Sequence, residues 1–371
     1  MSRFAIPCTP GHPALAYLDQ LPRAALRADG PVARKSARRS QERGSAAPLR
    51  PRTESAAGPS ARSAYHRVVR SPLLDAGWRA HVARTPPLAS VLLCPPDHFA
   101  VIDVKNAFMA GHVGRVDRDR AARQWLTLRD AYLAEGVAVH VLPPAPGRED
   151  MVFTANPALV VPREEGGADV VLSHMRHPSR QLEVAHVSSW LLAHGLPARE
   201  LPTDAGHLEG HGDVLVVPGR RLLLGGHGGR SELPALLAAA ALADAPLVPL
   251  PLVGDVFYHL DTCLALLDED TLLLHSPAFR PEARERLALL FPRLIEADAV
   301  EAREHLACNA HALPARAGQP TAVLLPAQAR RTAERLLREG FRPVPVDVDE
   351  FHKSGGSVFC LRLALPALPA A

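Results

Sequence analysis

From Ser90 onward, short apolar runs rich in Leu and Val alternate with longer stretches whose apolar residues recur every three or four positions. The short runs are typical of β-strands, and the longer stretches are typical of amphipathic α-helices. Five of these longer stretches begin 61, 52, 50 and 46 residues apart. The predicted helices are Arg118–Ala134, Ser179–Ala193, Ser231–Ala243, Pro281–Phe291 and Ala327–Glu339.

Two or three predicted strands accompany each helix. They are Ser90–Cys94, Val137–Leu142, Val152–Val161, Asp169–Ser173, Asp213–Val217, Arg221–Leu224, Phe257–Leu267, Thr271–His275, Ala322–Leu325, Arg342–Val346 and Ser357–Leu365. A recurrence of about 50 residues, with one small mixed sheet and one helix per unit, favours a radial arrangement of repeated modules over a doubly wound sheet. In such an arrangement, chemistry collects in the central channel.

The N-terminal region differs from the rest of the chain. Residues 1–70 carry 13 Lys and Arg against 4 Asp and Glu, a net charge of +9, and they lack apolar periodicity. Such a segment cannot bury enough apolar surface to offset its ordering entropy, although a transit peptide would have a similar composition. We therefore predict a disordered basic tail over residues 1–85 and one folded domain over residues 86–371.

Charge and cysteine content narrow the class of protein. Residues 71–371 carry 29 Lys and Arg against 35 Asp and Glu, a net charge of −6, so no nucleic-acid-binding face is predicted. Five cysteines without a CxxC pair suggest neither a disulfide framework nor a thiolate zinc site, and they fit a reducing cytoplasm. No apolar run reaches the length of a membrane span. A homo-oligomeric assembly is left open.

The end of the chain contains a candidate nucleophile. A polar turn with Gly355 and Gly356 runs into the predicted strand Ser357–Leu365, which carries Cys360. Adjacent glycines let the backbone approach a ligand closely, so a thiol at this loop-to-strand junction can face a cavity. A free cysteine is also a common small apolar filler, and the local sequence leaves both interpretations open.

Polar residues interrupt three other predicted strands. The groups are His207-Leu-Glu209-Gly-His211-Gly-Asp213, His259-Leu-Asp261 and Phe153-Thr-Ala-Asn156. On a strand, His259 and Asp261 would share one face. Each group alone could be structural: a glycine turn, a buried pair, or a turn before proline. Together with Cys360 they supply a nucleophile, an acid–base group and carboxylates for a cation, and the first group could instead bind zinc.

These segments, in this order, resemble the guanidine-modifying superfamily of arginine deiminases, dimethylarginine dimethylaminohydrolases, arginine dihydrolases and amidinotransferases. The resemblance spans about residues 88 to 366. It is carried by Glu209-Gly-His-Gly-Asp213, His259-Leu-Asp261-Thr, Gly355-Gly-Ser-Val-Phe-Cys360, Cys94-Pro-Pro-Asp-His-Phe99 and Asn106-Ala-Phe-Met109. It implies a five-module pseudosymmetric α/β propeller, or pentein, with the active site in its central channel, which agrees with the five helices predicted independently.

The resemblance also implies roles for individual residues. Cys360 would be the nucleophile, His259 the general acid and base, and Glu209 the carboxylate that orients the histidine. The implied substrate-binding residues are Asp213, Asp261, Asn156 and Asn106. The implied reaction is hydrolysis of a small-molecule guanidine, such as arginine or an N-substituted arginine, through a thiouronium intermediate on Cys360. It requires no metal or other cofactor, and no membrane partner is implied.

Two features of the sequence depart from the deiminases. Phe153-Thr-Ala-Asn156 has an amide where deiminases have an aspartate, and this resembles the arginine dihydrolase branch, which converts arginine to ornithine in two hydrolytic rounds. Glu209 and Asp213 are four residues apart instead of three, so the sequence leaves open which of them meets His259. An amidinotransferase is the alternative function, because it would use the same catalytic residues. Arg230 is a candidate for binding a substrate carboxylate.

Overall fold

The computed structural model describes residues 77–254 and 256–368. Most of the tail predicted for residues 1–85 therefore lies outside the described residues. Within these residues, α-helices alternate with short strands. The helices are α1 (Arg118–Ala134), α2 (Pro178–Ala193), α3 (Gly210–Asp213), α4 (Leu233–Leu242), α5 (Pro281–Leu290), α6 (Ala299–Glu304), α7 (Arg330–Arg338) and α8 (Asp349–His352).

The strands of the described region form five three-stranded sheets. Sheet 1 contains β15 (Leu363–Leu365), β1 (Ser90–Leu93) and β2 (Ala138–Val141). Sheet 2 contains β3 (Ala158–Pro162), β4 (Ala168–Leu172) and β5 (Ala198–Arg199). Sheet 3 contains β6 (Val214–Val216), β7 (Leu223–His227) and β8 (Leu247–Pro251). Sheet 4 contains β9 (Leu264–Leu266), β10 (Thr271–Leu274) and β11 (Arg293–Glu296). Sheet 5 contains β12 (His311–Ala312), β13 (Ala322–Pro326) and β14 (Arg342–Val346).

All five sheets have the same connectivity. The middle strand pairs antiparallel with the first strand and parallel with the third, and a helix joins the two parallel strands, as parallel pairing requires. Sheet 1 alone takes its first strand, β15, from the C-terminal end of the chain. Val91 of β1 lies opposite Ala364 of β15 and Val139 of β2, so the two ends of the described chain meet in one sheet.

Apolar side chains fill the spaces between successive sheets. In β10, Leu272 packs into the same cluster as Leu224 of β7, whereas its neighbour Leu273 packs into a cluster with Val323 of β13. Similar clusters join sheets 1 and 2, sheets 2 and 3, and sheets 5 and 1. Because the middle strands are buried on both faces, their apolar residues stand next to one another along the strand and do not alternate with polar ones.

The segment before β1 belongs to the folded region. Trp78 is fully buried, its Nε1 donates a hydrogen bond of 2.9 Å to the Leu290 carbonyl, and its ring packs on Phe291. The Thr85 amide bonds to the Gly219 carbonyl. The predicted boundary at residue 85 is therefore too late along the chain, because residues 77–85 contribute an aromatic anchor to the core.

The five predicted helices are confirmed, each to within about three residues at its ends. Three predicted strands were too long: Val152–Val161, Phe257–Leu267 and Ser357–Leu365. Only their C-terminal parts are strands, and turns precede them. The sequence also failed to indicate β5, β8, β11 and β12. Strand β8 contains two prolines and lies at a sheet edge, where proline is tolerated.

Within the described residues, no helix is both long and apolar enough to cross a membrane.

Candidate active site

The candidate residues share one position in the repeated module. Each lies in the turn that leads into the first strand of a sheet. The residues are Cys360 before β15, Asn156 before β3, Glu209 and Asp213 before β6, and His259 and Asp261 before β9. In the fifth module, Asn309 occupies the equivalent turn before β12. Because the modules have the same connectivity, these turns bring one or two polar side chains from each module to a common site.

Cys360 is buried between a carboxylate and an amide. Its Sγ lies 3.1 Å from Asp261 Oδ2 and accepts a hydrogen bond of 3.1 Å from Asn309 Nδ2. The other end of the same amide, Asn309 Oδ1, accepts bonds from the backbone amides of Phe359 and Cys360. Asn309 therefore fixes the turn that carries the thiol and contacts the sulfur as well.

His259 is buried against two carboxylates. Its Nε2 makes a 2.7 Å hydrogen bond to Glu209 Oε2 and lies 3.9 Å from Asp213 Oδ2. Asp213 uses Oδ2 to accept from the Ser231 hydroxyl and Oδ1 to accept from the Leu260 amide. Glu209 is thus the direct partner of the histidine, which answers the question that the sequence left open.

Asn156 has one end of its amide engaged and one end free. Its Oδ1 accepts a 3.1 Å bond from Arg180 Nη1, whereas its Nδ2 is buried without a hydrogen-bond partner among the described residues. Arg180 itself is buried and pairs with Glu183 at 2.9 Å. Asp261 Oδ1 is likewise buried and unpaired in the described region. The site therefore presents one free donor and one free acceptor.

A small cavity is lined by three of these groups, whereas Glu209, Asp213 and Asp261 are not among its lining residues. It has a volume of about 20 Å³, and its walls include Cys360, His259 and Asn156. The remaining lining residues are Lys105, Asn106, Met109, Asp150, Phe153, Arg180, Arg230, Tyr258, Ser354 and Gly356. This is room for about one water molecule, so a larger ligand needs neighbouring side chains to move.

Asn106 lies on the cavity wall with its amide engaged by the protein. Its Oδ1 accepts from the backbone amides of Phe108 and Met109, and its Nδ2 donates to the Ser354 carbonyl at 3.0 Å. Beside it, Lys105 Nζ forms ion pairs with Glu149 at 2.7 Å and Asp150 at 2.8 Å. These contacts tie the loop before α1 to the wall of the site.

Burial and charge act in opposite directions on the Glu209–His259 pair. Burial alone would raise the pKa of Glu209, but the hydrogen bond and charge of His259, with Arg230 and Arg180 nearby, hold it well below its usual range. Burial would lower the pKa of His259, but Asp213 and Glu209 raise it. The contacts of this pair therefore favour an ionised carboxylate beside a protonated imidazole over the neutral pair.

The remaining groups are shifted toward their neutral forms. Burial raises the pKa of Asp261 to about 6 and that of Asp213 to about 6, while the charge of His259 opposes both shifts. Burial, followed by the charge of Asp261, raises the pKa of the Cys360 thiol well above its ordinary value. Without a bound cation, Cys360 is therefore a thiol at neutral pH.

Two predicted local structures are wrong, for the same physical reason. His259 and Asp261 do not alternate along a strand, because Leu260–Thr262 is a 3₁₀ turn in which the Thr262 hydroxyl bonds to the His259 carbonyl. Cys360 lies in a turn whose backbone amides are held by Asn309. In both turns, side chains bind backbone groups that a strand ladder would otherwise use.

The segment Glu209 to Asp213 forms a glycine turn, one of the arrangements that the sequence left open. Gly210–Asp213 is one helical turn, and Gly210 has a φ of +44°, which favours glycine. His211 accepts a bond from the Val160 amide at Nε2 and donates from Nδ1 to the Val214 carbonyl. Both of its nitrogens are occupied, so the alternating ligand set considered for zinc does not form. Within the described residues, no group of three or more side chains is arranged to hold a metal ion.

The sequence reasoning missed Asn309 and Arg180. Asn309 is a polar residue inside the apolar run Leu306–Leu313, the same signal that indicated Asn156. It was overlooked because the two-residue strand β12 was not predicted, so the fifth module had no recognised first strand. Arg180 stands on α2 among helix-forming residues, and nothing in its local sequence distinguishes it from a surface arginine.

Proteins of known activity are similar to this chain in sequence. The chain is 36% identical over 284 residues to the N(G),N(G)-dimethylarginine dimethylaminohydrolase of Mycobacterium tuberculosis. This alignment covers 76% of this chain and 87% of that enzyme. It is 36% identical over 286 residues to the bifunctional arginine dihydrolase/ornithine cyclodeaminase ArgZ of Synechocystis. This alignment covers 75% of this chain but only 38% of ArgZ. The chain therefore belongs to the family of guanidine-modifying hydrolases that contains these enzymes. No protein-family model matches it.

Solved structures agree. The N-terminal domain of ArgZ, a cysteine-to-serine variant bound to substrate, superposes with a TM-score of 0.67 at 34% identity, covering 74% of this chain and 97% of that domain. Another structure of the domain is covalently bound to a reaction intermediate. A dimethylarginine dimethylaminohydrolase adduct matches with a TM-score of 0.59 at 22% identity, covering 74% of this chain and 98% of its own, which shows the shared pentein-type fold.

Proposed function

We propose that this protein is a cysteine-dependent amidinohydrolase that acts on the guanidinium of arginine or an N-substituted arginine. The observation that carries the proposal is one cavity lined by Cys360 and His259, each in hydrogen-bonding contact with a buried carboxylate, Asp261 and Glu209. A nucleophile, an acid–base group and anionic groups for a cation are thereby within reach of one small molecule.

We also propose that the five sheets are the modules of a five-bladed α/β propeller, with this cavity in its central channel. Two observations support this arrangement. The apolar clusters join the sheets in a cycle that returns from sheet 5 to sheet 1. The turns before the first strands contribute the site residues. The unpaired thiols of the four described cysteines fit the cytoplasm as the proposed location.

Substrate binding would activate the nucleophile. Cys360 is neutral in the free site, and its pKa falls when a cation lies beside it. A guanidinium held by the free Oδ1 of Asp261 brings that cation next to Sγ. The thiolate then forms only where the electrophilic carbon is already in position, which protects the reactive sulfur from other reagents.

The proposed reaction begins when the Cys360 thiolate attacks the guanidinium carbon. The His259 imidazolium, paired with Glu209, gives its proton to the leaving nitrogen, and ammonia or an alkylamine departs. An S-alkylthiouronium remains on Cys360. The neutral His259 then takes a proton from water, which adds to the same carbon and releases the ureido product and the thiolate. In this scheme Asp213 holds the positive charge on His259 and fixes the Leu260 turn.

The rest of an arginine substrate would extend past Arg230. Its guanidinium lies over the Tyr258 ring, with Nη1 3.4 Å from Glu209 Oε2 and Nη2 bonded to the Lys105 carbonyl. These contacts partly fill the space beside Glu209 and help to keep the cavity small. We propose that Arg230 swings away from Glu209 and binds the substrate α-carboxylate, a bidentate pairing that arginine favours.

Asn156 supports a second hydrolytic round. Its free Nδ2 can donate to the oxygen of a neutral ureido group, and the site has no aspartate there that would favour a cation over it. The ureido product would then stay bound. A second attack by Cys360 on its carbon would expel a second ammonia and leave an S-thiocarbamate on the sulfur. A second water molecule would then add to the same carbon, return the Cys360 thiol and release a carbamate, which breaks down to carbon dioxide and ornithine. We therefore favour an arginine dihydrolase over a single-step deiminase.

The test is the ratio of citrulline to ornithine formed from arginine. Asn156→Asp places a carboxylate beside Arg180 and removes the free donor, so the ratio should rise about tenfold or more over the wild type. Asn106→Asp is the matched control, because Asn106 already uses its amide within the protein and its oxygen still caps the same turn. It should shift the ratio much less.

Several results would contradict this proposal. Citrulline as the end product of the wild type would remove the dihydrolase assignment. Turnover of methylated arginine alone would favour a dimethylaminohydrolase. Formation of an amidinated product when glycine or another amine is added would favour the amidinotransferase alternative.

A further inference from the structure

A second cavity lies behind the nucleophile. It has a volume of about 400 Å³, within the range of small-molecule sites, and it shares no lining residue with the small cavity. Phe359 and Arg362 line it, whereas Cys360 between them faces the other side. Most of its wall is apolar and includes Pro86, Leu215, Val217, Leu266, Leu267 and Leu313.

Arg362 is a buried cation without a counterion in this cavity. It is 4% exposed, and its guanidinium makes no hydrogen bond or ion pair with any residue that the structure describes. It stacks on the Phe359 ring with Cζ 3.6 Å from the ring centroid, and its Nε is buried without a partner. An unpaired buried charge is costly, so a ligand that pairs with it gains a strong interaction.

His311 supplies a second donor. Its Nδ1 lies 2.9 Å from the hydroxyl of Tyr132, a fully buried residue. The Tyr132 hydroxyl has no other partner among the described residues, so it satisfies its hydrogen by donating to Nδ1. This leaves the proton of the imidazole on Nε2. Burial and the charge of Arg362 lower the pKa of His311 well below its ordinary value, so it acts as a neutral donor.

The acidic residues of the cavity do not neutralise Arg362. Glu269 forms an ion pair of 2.8 Å with Arg220, and Asp268 accepts a bond from the Asp270 amide. Neither contacts the guanidinium of Arg362. Arg84, which is exposed, also lines the cavity. The cavity thus combines an apolar wall with an unpaired guanidinium.

We propose that this second cavity binds a small carboxylate with an apolar body. The carboxylate would pair with Arg362 and accept from His311 Nε2, and the apolar body would lie against the leucine, valine and proline side chains. The bound anion would also act on the nucleophile. Arg362 lies two residues after Cys360, so its positive charge favours a thiolate at Cys360, and an anion that offsets this charge would disfavour the thiolate.

Calorimetric titration of the full chain with hexanoate tests binding. Hexanamide has the same apolar body without the charge, and inorganic phosphate has the charge without the body. Wild type should bind hexanoate at least about tenfold more tightly than either. Arg362→Leu should lose this preference. Ala312→Phe places a larger side chain of β12 in the cavity without changing its charge. This variant should weaken hexanoate binding about as much as Arg362→Leu does. Arg230→Met is the control for binding in the other cavity and should leave the affinity unchanged.

Three results would contradict the proposed carboxylate site. They are equal affinity for hexanoate and hexanamide, binding of phosphate alone, and loss of hexanoate binding in Arg230→Met. The coupling is measured separately by the rate at which iodoacetamide alkylates Cys360. Saturating hexanoate should slow this rate in wild type, and an unchanged rate at saturation would overturn the coupling. Neither measurement depends on turnover, so both stand if the proposed reaction is wrong.

Discussion

The reactivity of Cys360 depends on two side chains that touch its sulfur from different elements. Asp261 places a negative charge 3.1 Å from Sγ, and Asn309 donates a hydrogen bond to it. Burial is the largest cause of the raised thiol pKa. The Asp261 carboxylate raises the thiol pKa further, whereas the hydrogen bond from the Asn309 amide lowers it. The two neighbours therefore have opposite effects that substitution can separate.

We expect opposite changes in alkylation when these neighbours are replaced. Asp261→Asn removes the like charge, so the thiol pKa falls and iodoacetamide should react roughly tenfold faster at pH 8. Asn309→Ala removes a donor to the thiolate, so the pKa rises and the reaction should slow. The measurement is the alkylation rate against pH, with circular dichroism to verify folding. Equal shifts in one direction would contradict the assigned contacts.

Cys360→Ser should reduce turnover of arginine by roughly 10³-fold or more while the fold is retained, because a hydroxyl does not attack a guanidinium at neutral pH. A haloacetamidine should label Cys360 in preference to Cys94, Cys263 and Cys308, which are buried and line neither of the two cavities described above. Steady-state kinetics and peptide mapping check both results. Substantial activity in a pure serine variant would rule out Cys360 as the nucleophile.

At the scale of elements, one tight turn packs against two residues of the proposed active site, Asn156 and His259. A Cβ on Gly212 would overlap Asn156 Nδ2 and come within 3.2 Å of the His259 ring. Gly212→Ala should therefore displace both side chains and lower kcat/KM by about 100-fold, since small misplacements are costly in catalysis. Gly219→Ala is the control: it has a φ of +70° with open space around it, so it costs stability without affecting kinetics.

The measurements are kcat/KM and the free energy of unfolding of both glycine variants. A normal kcat/KM for Gly212→Ala would mean that the turn adapts and that its glycine is not required for alignment. A loss of activity in Gly219→Ala would show instead that general destabilisation accounts for the effect.

At the scale of the whole molecule, the N-terminal boundary of the folded region can be located by truncation. Removing residues 1–70 should leave the denaturation midpoint and the kinetics unchanged. Removing residues 1–85 also removes Trp78, and loss of this buried indole should cost about 3–5 kcal/mol. Urea denaturation of both truncated forms and of Trp78→Ala tests this. A large loss on removing residues 1–70 would mean that this segment contributes to the folded protein.

The helices and the chemical groups were determined by sequence. Helical periodicity identified all five connecting helices because each buries one stripe against its sheet, which is a local property. Cys360 was singled out by the Gly355-Gly356 turn before it. His259, Glu209 and Asn156 were singled out because polar residues beside or inside apolar runs are costly unless they are used. The roles of all four were implied by the family resemblance. Four edge strands were not predicted: β5 and β12 have only two residues each, β8 contains two prolines, and β11 has a charged residue at each end, so their pairing depends on the neighbouring strand.

Tertiary structure decided the local geometry of the site and the partner of each group. The strands predicted for His259 and Cys360 became turns because Asp213 and Asn309, far away in sequence, bind their backbone amides. For the same reason, the choice between Glu209 and Asp213 as the partner of His259 depended on a glycine turn and on Ser231. The sequence pattern shows which residues can be buried against a sheet and which carry a charge. Hydrogen bonds between modules determine which of those residues are in contact.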